Sequence, residues 1–161
     1  MPPIARFAFI SEAQYRRDAG GFGTCLPLGE IPLPRRATEG SAGYDFACPA
    51  AVTLQPGETR VIPTGLRALI DPGWVLVICP RSSLGRKYGM RLANTVGIID
   101  SDYSNAENEG HILVAVVNGG DKPLVLNPLD RFCQGIFLPF GTAEEGQVLT
   151  QRTGGYGSTG V

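Results

Sequence analysis

The residues with the clearest chemical potential follow a short apolar run, Val96–Ile99. The run predicts a buried strand, and two carboxylates, Asp100 and Asp102, come directly after it, with an aromatic ring at Tyr103. A carboxylate at the mouth of an apolar strand is partly desolvated and suits the work of a general base. The same residues also fit a plain strand end followed by a turn, where aspartate is common. Both interpretations remain open on this segment alone.

A second group of chemically useful residues occupies positions 80–89. Ser82 or Ser83 can cap a short helix, and Gly89 can end it. Backbone N–H groups at a helix start, together with two hydroxyls and Arg81, could bind an anion. An ordinary capped helix with basic residues on its surface is the alternative.

Three further stretches carry polar residues in unusual places. Asp45 lies inside Gly40–Phe46, where a strand normally avoids a charge. Asp130 and Arg131 precede an apolar strand and could form only a local ion pair, worth ~0–1 kcal/mol when exposed. The glycine-rich segment Arg152–Val161 could be a flexible tail. Its arginine, aromatic ring and hydroxyls could equally wrap a triphosphate and cover a base.

The composition limits the fold and the partners. The chain has 161 residues, which fits one domain with a sizeable core. Its 22 glycines and 13 prolines predict short strands in a sandwich or barrel rather than long helices. A net charge of −1 gives no broad field for nucleic acid or membrane. With neither a signal-peptide pattern nor a run near the ~18 apolar residues of a membrane span, we expect a cytoplasmic protein.

The cysteines and the histidine do not form a metal-binding pattern. Cys48, Cys79 and Cys133 lie in or beside apolar runs, which predicts free thiols rather than a disulfide framework. A single histidine, His111, cannot complete a structural zinc site with cysteines at these spacings. No nucleophile is visibly placed for His111, which favours a structural role over a catalytic one.

The elements that must position these residues are short strands separated by turns. Ile4–Ile10 predicts a first strand, and Ser11–Gly29 predicts an irregular excursion. Trp74–Cys79 and Ile112–Val117 are apolar without alternation, so both faces of these strands should be covered, by a partner sheet or by another subunit. Ser104–Glu109 predicts a lengthened loop between strands.

Five motifs, taken together, are more specific than any one of them. In chain order they are Ser41-Ala42-Gly43-Tyr44-Asp45, Pro80-Arg81-Ser82-Ser83-Leu84-Gly85, Gly97-Ile98-Ile99-Asp100-Ser101-Asp102-Tyr103, Asp130-Arg131-Phe132-Cys133-Gln134 and Gly155-Tyr156-Gly157-Ser158-Thr159-Gly160. This order resembles the five motifs of the trimeric dUTPase family, from about Leu33 to the end of the chain.

The resemblance implies an all-β, jelly-roll-like β-sandwich or barrel with one short helix near Ser82–Gly89. It implies a single domain over residues 1–150 and a flexible arm over residues 151–161. The implied protein is a homotrimer with shared active sites. It would hydrolyse dUTP to dUMP and pyrophosphate with Mg²⁺, limiting uracil in DNA and supplying dUMP for dTMP synthesis.

The resemblance also implies roles for individual residues. Asp100 would activate the water that attacks the α-phosphorus in line. From the segment itself we expect Asp102 to support the turn that presents Tyr103. The ring of Tyr103 would pack under the deoxyribose and exclude a 2′-hydroxyl, while Asp45 would reach the metal through water. The implied uracil pocket consists of Asn94, Gly97, Ile98, Ile99 and Leu113. The implied phosphate contacts are Arg81, Ser82, Ser83 and Gln134. The arm, donated by a neighbouring subunit, would contribute Arg152, Tyr156, Gly157 and Ser158.

Two other classes of protein remain as alternatives. The related dCTP deaminases share the Arg-Ser-Ser turn and the fold, but they carry a catalytic glutamate where this chain has Ala115, and they lack such an arm. A nucleotide-gated binding or regulatory trimer, or a structural jelly roll, would have no need of a base at Asp100. The intact Asp100 therefore favours turnover.

Overall fold

The structure is a computed structural model that describes residues 2–145 and 154. Over these residues the chain forms twelve β-strands and two short α-helices. The helices are α1 (Glu12–Asp18) and α2 (Ser82–Tyr88). The strands are β1 (Ala5–Phe9), β2 (Arg35–Arg36), β3 (Tyr44–Ala47), β4 (Val52–Leu54), β5 (Thr59–Pro63), β6 (Leu66–Ile70), β7 (Trp74–Pro80), β8 (Met90–Leu92), β9 (Gly97–Ile99), β10 (Leu113–Asn118), β11 (Leu124–Leu126) and β12 (Arg131–Pro139).

The strands pair only in the antiparallel sense within the described residues. The largest sheet has the order β2-β3-β12-β7-β9, and a second sheet has the order β5-β10-β8. Two further pairs, β1 with β6 and β4 with β11, complete the layers. The predicted all-β fold is confirmed, and so is the predicted short helix that ends at Gly89, which has a left-handed backbone. The predicted cap by Ser82 or Ser83 is wrong, because both serines lie inside α2, and its N-cap, Arg81, makes no side-chain capping bond.

The core lies between the sheets and is built from the inward residues of each strand. Phe46, Leu76, Ile78 and Phe132 are almost completely buried there. Burying a side chain of this size stabilises the fold by roughly 1.5–3 kcal/mol. Along β7 the buried residues alternate with half-buried ones, so the described residues do not fully cover both faces of Trp74–Cys79. Coverage by another subunit, the second alternative, stays a prediction.

The segment Ser11–Gly29 is more regular than its glycines suggest. The expectation of an irregular excursion is wrong for its first part, which forms α1. The Ser11 hydroxyl accepts a hydrogen bond from the Gln14 backbone N–H at 3.2 Å, as expected of a Ser-x-x-Gln helix start. Tyr15 then packs into a small second core with Ile10, Leu28 and Ile31.

Cys48, Cys79 and Cys133 are free thiols, as predicted, and so is Cys25. Burial raises the pKa of the Cys48 thiol to about 11 and raises the pKa of Cys133 well above its ordinary value. Neither thiol is therefore a ready nucleophile at neutral pH. In the part of the chain that the structure describes, no helix has the length and apolar character needed to cross a membrane.

Candidate active site

Three strands of the largest sheet bring the first, second and fourth motifs to one end of that sheet. Gln134 on β12 pairs with Asp45 on β3 at one side and with Cys79 on β7 at the other. Arg81 follows two residues after Cys79, at the start of α2. The register of these strands thus collects residues that are far apart in the sequence.

Asp45 is held between two arginines. Its Oδ1 lies 3.2 Å from Nε of Arg81, and its Oδ2 accepts a hydrogen bond from Nη1 of Arg131 at 3.0 Å. Arg81 also donates from Nη1 to the Arg131 carbonyl at 3.3 Å. Asp130 does not pair with Arg131, because its Oδ2 accepts the backbone N–H of Asn127 at 2.7 Å. The interpretation of Asp130 and Arg131 as a local ion pair is therefore wrong.

Arg131 is a residue whose place in the site the sequence analysis missed. Its position at the first residue of β12 sets it opposite Ala47, beside Asp45. A cation at the start of a strand is a weak signal by itself, and only the pairing of β12 with β3 gives it a partner.

A cationic cavity of about 460 Å³ adjoins this cluster. Basic side chains dominate the polar part of its wall, and Ser83 contributes a hydroxyl. The four basic residues are Arg81, Arg86, Lys87 and Arg131. Ser82 is also exposed at the first turn of α2. Four cations against the single carboxylate of Asp130 make this cavity suited to a polyanion, phosphates in particular.

Gln134 is fixed at the edge of the cluster. Its Nε2 donates to the Pro80 carbonyl at 3.4 Å. A Cβ at position 43 would collide with the Oε1 of Gln134, so the absence of a side chain at Gly43 leaves room for the Gln134 amide. The structure thus brings Asp45, Arg81 and Gln134 together, as three of the five motifs predict.

The segment that contains Asp100 directly follows strand β9. Asn94 is exposed in the turn between β8 and β9, next to Thr95, whose φ of 67° is left-handed. β9 is an edge strand, and Ile98 on it is 55% exposed. The expectation of a buried strand at Val96–Ile99 is therefore wrong over the described residues, because they leave one face of this edge strand uncovered. Leu113 is half-buried at the start of β10.

Tyr103 follows in a 3-10 turn, Tyr103–Asn105. Its ring is only 6% exposed. Its hydroxyl donates to the His111 carbonyl at 3.1 Å and accepts from Nδ2 of Asn108 at 2.9 Å. The predicted sugar-packing ring is thus held by the lengthened loop that follows it.

Asp100 and Arg81 are not brought together within one chain. β9 pairs with β7 so that Ile99 faces Leu76, which places Asp100, one residue further, across from Val75. Arg81 follows the opposite end of β7. Position 81 lies six residues beyond position 75, a distance of roughly 20 Å at the rise of a β-strand. The predicted base and the predicted phosphate contacts therefore lie at opposite ends of one strand.

The described residues provide no group of three or more histidine, cysteine, aspartate or glutamate side chains that could hold a metal ion. Asp45 fits a divalent ion bound mainly by phosphates and water, since Mg²⁺ usually keeps several waters and takes few protein ligands. The predicted arm residues Arg152, Tyr156, Gly157 and Ser158 lie outside the described residues.

The sheets and the cationic cavity together define a β protein with a site suited to a polyanion. Comparison with known proteins specifies which kind. The family model described as dUTPase matches residues 29–160. The deoxyuridine 5'-triphosphate nucleotidohydrolase of Lactococcus lactis subsp. lactis (strain IL1403) is 47% identical over 134 residues, which cover 81% of this chain and 89% of that protein. This chain belongs to the dUTPase family.

Solved structures agree with this assignment. The crystal structure of dUTPase from Streptococcus mutans is 34% identical, with a TM-score of 0.67 over 86% of this chain and 98% of that one. A dUTPase from phage phi11 of S. aureus, in a structure that reveals the coordination of a structural Mg(II) ion, is 20% identical. Its TM-score is 0.67 over 92% of this chain and 98% of that chain. The predicted jelly-roll-like β fold is confirmed.

Proposed function

We propose that this dUTPase hydrolyses dUTP to dUMP and pyrophosphate with Asp100 as the general base, in a site that two or more subunits complete. The observation that carries the proposal is the register of β9 on β7. It sets Asp100 against Val75, at the end of β7 opposite Arg81. A base and a phosphate-binding cluster roughly 20 Å apart cannot act on one small nucleotide within one chain. A symmetric oligomer brings the two ends together.

Asp100 supplies the proton acceptor. Its carboxylate takes a proton from a water molecule, and the oxygen of that water attacks the α-phosphorus in line. The bond from the α-phosphorus to the bridging oxygen breaks, and pyrophosphate leaves with that electron pair. A positioned base of this kind contributes roughly 10²- to 10⁴-fold to the rate. Asp100 lies half-buried after β9, which supports its role at the edge of a pocket.

The residues around Asp45 and at the start of α2 supply the phosphate contacts. Arg81, Ser82, Ser83 and Gln134 hold the triphosphate, and Arg131 joins them because it shares Asp45 with Arg81. Mg²⁺ is the proposed cofactor, held by the triphosphate and, through water, by Asp45. When bound, the ion neutralises phosphate charge and orients the chain of phosphates.

The third motif supplies selection of the nucleoside. Asn94, Gly97, Ile98, Ile99 and Leu113 form the proposed uracil pocket. Hydrogen bonding in such a pocket discriminates strongly, since a wrong base leaves buried polar groups unpaired. Tyr103 lies under the deoxyribose. The domain over residues 1–150 is completed by the arm over residues 151–161, which closes over base and γ-phosphate through Arg152, Tyr156, Gly157 and Ser158.

A homotrimer is the proposed assembly. Cross-strand partners point to the same face of a sheet, so Ile98, Val77 and Ile136 share one face. Val75 and its partner Leu138 continue that face. All five are half-buried or exposed, with Ile98 at 55% and Leu138 at 46%. A contiguous apolar face that the described residues leave open supports burial against another subunit.

The proposed location is the cytoplasm. Four free cysteines support a reducing compartment, because disulfides form and persist mainly in oxidising ones.

Incubation with each deoxynucleoside triphosphate and Mg²⁺, followed by chromatography of the products, tests the activity. We expect dUTP to give dUMP and pyrophosphate, with little turnover of the other nucleotides. Conversion of dCTP to dUTP would instead indicate a deaminase, although Ala115 in β10 has no carboxylate for that reaction. An absence of turnover of any nucleotide would contradict the proposal.

A further inference from the structure

Two segments with no assigned role, helix α1 and the lengthened loop after Tyr103, lie against each other. At the start of α1, the Ser11 backbone N–H donates to Oε2 of Glu109 at 2.8 Å. The Ser11 hydroxyl donates to Oε1 of the same carboxylate at 2.6 Å. Glu109 thus receives both donors of the residue that caps α1. These two bonds lower the pKa of Glu109.

The end of α1 makes the second contact. Oδ2 of Asp18 lies 2.6 Å from Nδ1 of His111 and also accepts from Nε2 of Gln14 at 2.8 Å. The other imidazole nitrogen, Nε2, accepts the backbone N–H of Gly65 at 2.9 Å. A nitrogen that accepts carries no proton, so His111 is neutral with its proton on Nδ1, directed at Asp18. Burial lowers the pKa of His111, which agrees with a neutral ring.

The loop carries these two contacts to Tyr103. The Tyr103 hydroxyl lies between the His111 carbonyl at 3.1 Å and Nδ2 of Asn108 at 2.9 Å. Both groups belong to residues 108–111, and Glu109 and His111 attach this part of the loop to α1. The loop is internally closed as well, since the Glu109 N–H bonds to the Ala106 carbonyl at 2.8 Å and the His111 N–H to the Asn108 carbonyl at 3.1 Å. A displacement of the loop would therefore displace both partners of the hydroxyl.

We propose that α1 is a clamp that fixes the ring of Tyr103 through Asp18 and Glu109, and that these two acidic residues are positioning residues for the selection of dUTP over UTP. The inference rests on the proposed role of Tyr103 under the deoxyribose. A ring held on both sides of its hydroxyl leaves no room for a 2′-hydroxyl. A ring whose supports have moved admits one.

The test compares the ratio of kcat/KM for dUTP to kcat/KM for UTP, with UTP assayed at high enzyme concentration. A loss of correctly folded protein scales both values equally and leaves the ratio unchanged. Asp18→Ala removes the acceptor of the His111 N–H and should lower the ratio roughly 2- to 30-fold, the range seen for changes within a coupled network. Asp18→Asn keeps an acceptor oxygen, so its ratio should be close to that of the wild type.

Matched variants make the result specific to the clamp. Glu12 lies on the same helix and forms an exposed ion pair with Arg16 at 3.9 Å. Its substitution, Glu12→Ala, should leave the ratio unchanged. Glu109→Ala breaks the contact at the other end of α1 and should lower the ratio as Asp18→Ala does. Because Glu109 bonds an exposed partner, this variant tests the clamp even where Asp18→Ala does not fold.

Tyr103→Ala separates the clamp from the function on which it rests. An unchanged ratio in Tyr103→Ala would overturn the sugar role of the ring and the clamp with it. A lower ratio in Tyr103→Ala, with wild-type ratios in both Asp18→Ala and Glu109→Ala, would overturn the clamp alone. Wild-type protein that leaves dUTP intact would overturn the proposed function itself.

Discussion

Arg131 donates from Nη1 to Oδ2 of Asp45 at 3.0 Å, across 86 positions of sequence. The opposite oxygen of Asp45 faces Arg81 at 3.2 Å. One carboxylate therefore orients two guanidinium groups at the mouth of the cationic cavity. Its side chain is 13% exposed, so water screens these interactions less than it would screen a surface pair.

Asp45→Asn should raise the concentration of Mg²⁺ needed for half-maximal activity and should also raise KM for dUTP. The amide cannot neutralise a hydrated cation and holds the two arginines less firmly. We expect kcat/KM to decrease about tenfold, which is the scale of one charge-assisted hydrogen bond. Steady-state kinetics over a Mg²⁺ series measure both effects, with exposed Asp121→Asn as the control. Wild-type Mg²⁺ dependence would rule out the metal role.

Asp100→Asn should lower kcat by ~10²–10⁴, the usual contribution of a general base, while dUTP binding stays near the wild-type level. The amide keeps the shape of the side chain but accepts a proton poorly. Calorimetric titration of dUTP gives the affinity, and single-turnover assays give the rate. Asp102→Asn, two residues away, is the matched control and should lose far less. An unchanged kcat in Asp100→Asn would show that another residue is the base.

Mixed oligomers test whether the site is shared. Arg81→Ala and Asp100→Asn subunits should each be nearly inactive alone. The two variants are mixed in equal amounts and reassembled at random. In roughly a quarter of the resulting sites, one subunit should supply an intact Asp100 and a different subunit an intact Arg81. Recovered activity should therefore approach that fraction of the wild-type value. If the mixture stays as inactive as its components, Asp100 and Arg81 act within one chain.

Deletion of residues 152–161 should reduce dUTP hydrolysis while leaving the oligomer intact. The arm is proposed to close over base and γ-phosphate, whereas the apolar face proposed for assembly lies on β7, β9 and β12. Kinetics together with light scattering distinguish the two properties. Normal hydrolysis by the shortened chain would show that the arm has no part in catalysis.

The buried His111 should make stability depend on pH. Burial lowers its pKa below the ordinary value of 6.5, although Asp18 and Glu109 face it and act in the opposite direction. The unfolded chain therefore takes up a proton first as the pH falls. Stability should be complete above about pH 6.5 and decrease below it, by at most ~1.4 kcal/mol per pH unit.

Urea unfolding over a pH series measures this slope. His111→Gln is the matched variant, because its amide can accept from the Gly65 N–H and donate to Asp18 without titrating. We expect its stability to be lower overall but to lack this part of the pH dependence. A slope as steep as that of the wild type would assign the effect to other groups.

Much of the fold could be predicted from local signals, and the residues that could not be predicted depend on long-range pairing. The turns and α2 follow from glycine and proline positions, and the motifs name Asp45, Arg81 and Gln134 before any contact is known. The partner of Arg131 depends on the register of β12 on β3, which no local pattern contains. A Ser-x-x-Gln start did signal α1, but the glycines that follow Ala19 obscured it.

The separation of the base from the phosphate cluster was also beyond sequence reasoning. Motifs carry an order along the chain but not a distance in space, and only the pairing of Ile99 with Leu76 shows that Asp100 and Arg81 lie near opposite ends of β7. The contact of Asp18 with His111 could not be predicted either, because nothing in the sequence near either residue points to the other.

The placement of Asp100 and Arg81 at opposite ends of β7 has a consequence for the behaviour of the enzyme at low concentration. In the proposed assembly, a dissociated subunit carries every catalytic residue type and yet contains no working site. Specific activity then follows the fraction of assembled protein, which depends on total protein concentration by mass action. Dilution alone would turn such an enzyme off, and recruitment of further subunits would turn it on again.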